Sequence, residues 1–222
     1  VLGLTDAFRL VHGEGDGLPG LIVDVYGDTA VVQAHSAGMR LSLQQIATAL
    51  QAVPNLGLNN IYDKSSEFSD QPTSHANGWL KGEGDETVIR ENGNLFMVNW
   101  REGQKTGFFL DQRDNRKLLG QYAHGKRVLN TFCYTGGFSV YAMSAGAQLV
   151  TSVDISEKAV ALAERNMELN FDDCNHEALA SDVFDFLKDE TILSEEEFTQ
   201  FYGKADELSR MLFRMIGNLS NN

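Results

Sequence analysis

Short apolar runs broken by glycine, proline and polar clusters dominate the first hundred residues, and helical spacing takes over further on. FRLVH and LIVDVYG read as strands joined by GEGDGLPG, whose glycines and Pro19 mark a loop. Gly27-Asp28 turns the chain into TAVVQAHS, a third strand. MRLSLQQIATALQAV then carries Leu43, Ile46, Leu50 and Val53 at helical spacing and stops before Pro54. NNIYDKS is a fourth short strand, and residues 65–85, rich in Ser, Gly, Asp and Asn, read as a mobile loop. TVIRE and LFMVNW flank Asn92-Gly93-Asn94, a hairpin signal. Residues 1–100 are thus expected to form a small α+β module of strands around one helix.

The stretch VLNTFCYTGGFS (128–139) with VTSVDI (150–155) has a different character. An apolar strand runs into the turn Thr135-Gly136-Gly137, which opens the helix SVYAMSAGA, and a second strand ends in Asp154. Glycines let backbone approach a ligand, and an acid at a strand tip accepts ribose hydroxyls, so the pattern suits a nucleotide-binding α/β unit. The strict GxGxxG spacing is missing, which disfavours a dinucleotide-dependent oxidoreductase, while a plain glycine turn before a helix remains open. Upstream, residues 105–109 read as a short strand or extended lead-in to the helix DQRDNRKLLGQYA, with Asp111 as its N-cap. Downstream, EKAVALAERNMELN presents Ala159, Leu162, Ala163, Met167 and Leu169 on one face, and HEALASD is a third strand ending at Asp182. Asp182 is also suited to cap the following helix, VFDFLKD.

The last segment is a helix. Ser194 with Glu197 makes a capping box. Phe198, Phe201, Ala205, Leu208, Leu212, Met215 and Leu219 recur at steps of three and four residues.

Composition narrows this picture little. With 222 residues, 42% hydrophobic and 22% charged, the chain is that of an ordinary globular protein of one or two domains. It shows no membrane span and no signal pattern, and it begins with Val, as expected for a processed or excised piece. The net charge of −13 argues against gripping nucleic acid over the whole surface. Between Arg101 and Arg127, seven basic residues face three acids, which suits a solvated helix face and an RNA contact alike. Cys133 and Cys174 form neither a disulfide framework nor a metal spacing, and a reducing cytoplasm is the simplest compartment. His12, Glu14 and Asp16 read as a polar loop, His35 and His75 have no ligand partners near them in sequence, and no metal is assigned.

GQKTGFFLDQRDNR (103–116), followed by LNTFCYTGGFSVYA and SVDIS, resembles the class I S-adenosylmethionine (SAM)-dependent methyltransferases that modify cytosine C5 in large-subunit ribosomal RNA. FRLVHGEGDGLPGLIVDVYGD resembles the segment preceding their catalytic domain. The resemblance covers most of residues 1–188. It implies an α/β fold: the α+β module over 1–100 and the first half of a Rossmann-like SAM-binding sheet over 101–190, with the long amphipathic helix over 191–222 standing in place of the expected second half. It implies SAM as cofactor, large-subunit ribosomal RNA as partner, and a pocket built from Phe109, Asp111, Arg113, Thr135, Gly136, Gly137, Asp154, Ile155, Asp182 and Val183. There Phe109 flanks the cofactor, Arg113 pairs its methionine carboxylate, Asp154 takes the ribose, Asp182 takes the adenine amino group and Val183 packs on the ring.

Two family motifs have no counterpart. The Asp-Pro-Pro turn that shapes the slot for the flipped base is missing, since the three prolines are Pro19, Pro54 and Pro72. So is the Ser-Cys-Ser-type loop whose thiolate attacks the base. Cys133 lies within the cofactor motif and reads as a small packing residue, and Cys174 as an ordinary thiol, so no catalytic residue is assigned. The terminal helix faintly resembles the last helix of four-helix-bundle proteins encoded in ribosomal RNA intervening sequences. A truncated or fused gene product, or a chimera, is therefore expected, inactive in methyl transfer. Its half-sheet would expose an edge, which the terminal helix covers or through which, or through that helix, the chain self-associates.

Overall fold

The structure, a computed structural model, describes residues 4–66 and 76–219. Residues 67–75, with Pro72 and His75, lie outside it, as do the side chains of residues 216–219.

Five strands form the first sheet, in the order β1 (Ala7–His12), β2 (Leu21–Tyr26), β3 (Thr29–Ala34), β4 (Asn60–Asp63) and β5 (Gly78–Lys81). Neighbours are antiparallel except β3 and β4, which run parallel across a helical crossover. β2 and β3 are apolar almost without interruption because both faces are covered. On one face Val23, Val25, Ala30 and Val32 pack under Leu43, Ala47 and Leu50. The helical stretch expected as one element is two, α1 (Ala37–Leu41) and α2 (Leu43–Ala52), because Ser42 turns its hydroxyl back to the Gly38 carbonyl at 3.0 Å. Residues 65–85 are likewise not all loop: β5 lies within them and sets Trp79 edge-on to Tyr62 and Trp100, at 5.1 and 5.9 Å.

The hairpin β6 (Glu86–Glu91) and β7 (Asn94–Asn99) is a separate two-stranded sheet. Asn92 and Gly93 adopt φ of 51° and 91°, the left-handed pair that a two-residue hairpin turn needs. The other face of the first sheet (Ala7, Tyr26, Val31, Tyr62), this hairpin (Ile89, Phe96, Val98) and the later residues Val140, Tyr141 and Met167 share one core.

A 3-10 turn (Leu110–Gln112) precedes α3 (Arg113–Ala123). Then β8 (Arg127–Thr131), α4 (Gly137–Ser144), β9 (Leu149–Asp154), α5 (Glu157–Glu168) and β10 (His176–Ala180) alternate, and the three strands form a parallel sheet in the order β10-β9-β8. Under α4 a hydrogen-bond chain crosses this sheet, from Asn130 through Ser139 and Ser152 to His176, in steps of 2.9, 2.7 and 2.9 Å. Among the described residues β8 and β10 pair only with β9, so both outer strands are open edges.

α6 (Val183–Asp189) and α7 (Glu195–Leu219) end the described chain. The terminal helix does not cover the half-sheet. It rests on α6, where Phe184 meets Phe198 and Tyr202 at 6.5 and 5.7 Å, and Phe201, Leu208, Leu212 and Met215 further along its apolar face are exposed. No helix among the described residues is long and apolar enough to cross a membrane.

Candidate functional site: a cleft at the ends of the parallel strands

The bend after β8 is conformationally costly. Phe132 and Tyr134 take φ of 55° and 48°, unusual for bulky side chains and typical of strained binding loops. Gly136, at φ 71°, caps α4, and a Cβ there would lie 2.8 Å from the Ala163 Cβ and 3.0 Å from its Cα. Only glycine lets the helix start so close to α5. Asn166, fully buried on α5, fixes the turn by donating to the Thr135 carbonyl at 2.8 Å while accepting from the Met97 amide at 2.7 Å.

Asp154 ends β9 beside this bend. Its Oδ2 accepts from the Tyr134 amide at 2.9 Å and its Oδ1 from the Ser156 amide at 3.0 Å. Each oxygen keeps a second lone pair, so the carboxylate is aimed by the backbone and still able to take two hydroxyls. Asp182 caps α6, with Oδ1 accepting from both the Phe184 and Asp185 amides, at 2.8 and 3.2 Å. No hydrogen bond to its Oδ2 occurs among the described residues, so capping leaves one oxygen for a further donor.

Residues 103–109 form a turn rather than a strand, folded on itself at two glycines. A Cβ on Gly103 would lie 2.4 Å from the Asn99 carbonyl oxygen, and one on Gly107 would lie 2.9 Å from Val98 Cγ1. The first sheet clamps this turn: Thr106 donates to Asp24 at 2.6 Å, Gln33 donates to the Lys105 carbonyl at 3.3 Å, and buried Lys64 reaches the Gly103 carbonyl. From the other side the Tyr134 hydroxyl accepts from the Gln104 amide at 2.8 Å. Phe109 is thereby held edge-on to Tyr134 at 5.4 Å, under Lys105 Nζ at 4.3 Å.

Asp111 does not cap α3. The cap position is Gln112, with no side-chain bond, and Asp111 sits in the 3-10 turn with Lys105 at 3.4 Å. Arg113 turns to Glu91 Oε2 at 3.1 Å and to the Ala7 carbonyl. Arg116, 2% exposed, makes two bonds of 2.9 Å to the fully buried Glu91 carboxylate and one of 3.0 Å to the Phe109 carbonyl, with its guanidinium 4.6 Å from the Phe108 ring centroid. The basic stretch from Arg101 to Arg127 is thus largely spent internally: Arg101 pairs with Asp85, Lys105 with Asp111, and Arg113 and Arg116 with Glu91.

These elements enclose an open cleft of about 1280 Å³. Phe109, Thr135, Gly137 and Asp154 line it, together with Gln104, Arg116, Phe132, Tyr134, Lys158 and Arg165, which the sequence reading did not single out. Asp111, Arg113, Gly136, Ile155, Asp182 and Val183 are not on its wall. Gly136 packs against Ala163, Ile155 is 74% exposed, and Val183 is buried as the first residue of α6. Cys133 also lines the cleft, but burial first, and the Asp154 charge second, push its thiol up to about 12. It stays a protonated thiol at neutral pH and lacks the thiolate a nucleophile needs.

Residues 9–190 match the S-adenosylmethionine-dependent methyltransferase family. The chain belongs to that family. A ribosomal RNA large subunit methyltransferase I of Pseudoalteromonas atlantica is 43% identical over 192 residues, 84% of this chain and 48% of the relative. A ribosomal RNA large subunit methyltransferase of Deinococcus radiodurans is 40% identical over 192 residues, covering 83% and 47%. A protein assigned as a methyltransferase and solved with SAH superposes with a TM-score of 0.71 at 35% identity, covering 83% of this chain and 48% of that one. The SAM-dependent methyltransferase of Agrobacterium tumefaciens, at 23% identity, shares the fold with a TM-score of 0.60 over 83% of this chain and 55% of that one. The chain spans about half the length of the curated relatives it matches.

The methyltransferase cofactor is a sulfonium whose charge makes its methyl group electrophilic. The residues present fit it. Asp154 has acceptor capacity for ribose hydroxyls, the Thr135–Gly137 turn brings bare backbone to the cleft, and Phe109 offers a held aromatic face.

Proposed function

We propose that this chain is the cofactor-binding half of an rRNA cytosine-C5 methyltransferase of the large ribosomal subunit. It holds SAM at the ends of β8 and β9 and, as this 222-residue stretch, does not transfer its methyl group. The observation that carries the reading is the backbone-aimed Asp154 carboxylate facing the cleft beside the glycine turn. In this reading Phe109, Thr135, Gly137 and Asp154 meet the ribose and methionine part from the cleft wall with Gly136 supporting the turn, while Ile155, Asp182 and Val183, off that wall, mark the adenine side. Asp111 and Arg113 stand behind them on protein partners. The target class rests on the motif runs 103–116 and 128–139 and on the relatives' ribosomal RNA activity. Division into 1–100, 101–190 and 191–222 follows the same reading, as do a cytoplasmic setting with ribosomal RNA as partner and self-association through the terminal helix or the open sheet edge.

The lack of methyl transfer follows from the chain's chemistry. Neither an Asp-Pro-Pro turn nor a Ser-Cys-Ser loop occurs, and the one cysteine at the cleft is held protonated. Incubation with radiolabelled SAM and large-subunit ribosomal RNA tests this. Cofactor binding without label in RNA is expected, whereas label at cytosine C5 would overturn the claim of inactivity. A non-catalytic RNA-binding fragment would bind RNA but not SAM, and an oxidoreductase would prefer a nicotinamide cofactor.

A further inference from the structure

The apolar face of α7 is a heptad seam. From Phe198 the apolar positions step by three and four residues to Phe201, Ala205, Leu208, Leu212 and Met215, the a/d pattern with which two helices interlock. Phe198 and Tyr202 are occupied by Phe184 of α6, and Lys188 reaches Glu195 at 3.5 Å. Beyond Tyr202 the ion pairs, hydrogen bonds and ring contacts of the described residues stay within the helix, such as Arg210 with Asp206. Phe201, Leu208, Leu212 and Met215 remain about half exposed, in line, over about 21 Å of helix.

Charge says what lies against that seam. The amino-terminal part of α7 carries Glu195, Glu196, Glu197, Asp206 and Glu207 against the single Lys204. The carboxyl-terminal part carries Arg210 and Arg214 and no acid. Parallel pairing of two copies would set the acidic parts side by side and bring both folded bodies to one end. Antiparallel pairing sets acidic against basic, opposes the helix dipoles favourably and keeps the bodies at opposite ends.

We propose that α7 pairs with the α7 of a second copy of this chain, antiparallel, through Phe201, Ala205, Leu208, Leu212 and Met215. This rests on the self-association reading and commits it to the helix rather than to the sheet edge. It is independent of cofactor binding, so SAM titration of a monomeric variant separates a failure here from a failure of the functional reading.

The test is sedimentation of the full chain from about 1 to 200 µM, a range that brackets a short helix pair. A reversible dimer is expected, with Leu208→Asp/Leu212→Asp monomeric throughout and melting as the unsubstituted chain does at about 1 µM, where both are monomers, because both positions are surface ones. Orientation is read from Ala205→Cys in a Cys174→Ser background. Antiparallel pairing holds the two new thiols about 9 Å apart along the axis, so the dimer persists under oxidation without a covalent link. A chain monomeric at all concentrations, a dimer that survives the double substitution, a monomer that captures a different protein through this face, or a disulfide at position 205 would each overturn the proposal.

Discussion

The two sheets that meet at the cleft are built to opposite standards. In the five-stranded sheet the central strands β2 and β3 are buried on both faces, and there and in the hairpin beside it buried charges are matched. Asp24 has Arg9 at 2.8 Å and Thr106 at 2.6 Å, and Glu91 has Arg113, Arg116 and Tyr141. Among the described residues the parallel sheet has two open edges, and neither β8 nor β10 contains a fully buried residue. Yet the cleft-lining groups Asp154 and the strained turn belong to the second. The first sheet holds residues 103–106 beside the cleft through hydrogen bonds, and the second contributes the glycine turn and the Asp154 carboxylate to its wall.

That contrast breaks most readily at Glu91. Glu91→Ala strands the buried Arg116 guanidinium and unpairs Arg113, and is expected to cost about 3–5 kcal/mol in urea unfolding. A loss below about 1 kcal/mol would mean the shared core does not depend on the ion cluster. Next is Gly136→Ala, which adds left-handed strain and a clash with Ala163. It is expected to cost about 2–3 kcal/mol and to weaken SAM binding together with stability.

Base sensitivity sharpens the comparison further. The Cys133 thiol and the Tyr141 hydroxyl are both raised to about 12, chiefly by burial, so the folded state holds their protons more tightly than the unfolded chain. Their contribution is complete below pH 9 and is lost as pH rises toward 12. Cys133→Ala should flatten the decline that begins near pH 9, read from melting temperatures across that range. The smallest effect is expected at the surface of α7: Leu208→Asp, measured at a dilution where the chain is monomeric, should change unfolding free energy by less than about 0.5 kcal/mol.

Much of this was legible in the sequence because it is local. The strand alternation, the Asn92-Gly93 hairpin, the glycine turn, Asp154 at a strand tip and the long terminal helix all announce themselves within a few residues. What was not legible is long-range. Nothing near Arg113 or Arg116 in sequence reveals Glu91, so an arginine assigned to the cofactor carboxylate proves to be turned toward a buried acid. Asp111 fits a cap pattern, but the 3-10 turn moves the helix start past it. Gly78–Lys81 pairs with β4 across a polar stretch whose composition reads as loop. Tyr134 stood inside the motif, yet its role in joining the glycine turn to residues 103–109 needed the fold to appear.

The central claim is that the half-sheet forms a working cofactor pocket. Calorimetric titration of SAM into the chain, alongside Asp154→Ala, tests it most directly. Saturable one-to-one binding that Asp154→Ala weakens at least about tenfold, with the variant still folded, is the predicted result, since hydrogen bonds to a charged group are worth about 1.5–3 kcal/mol. No binding by the folded chain, or binding that the substitution leaves unchanged, would contradict it.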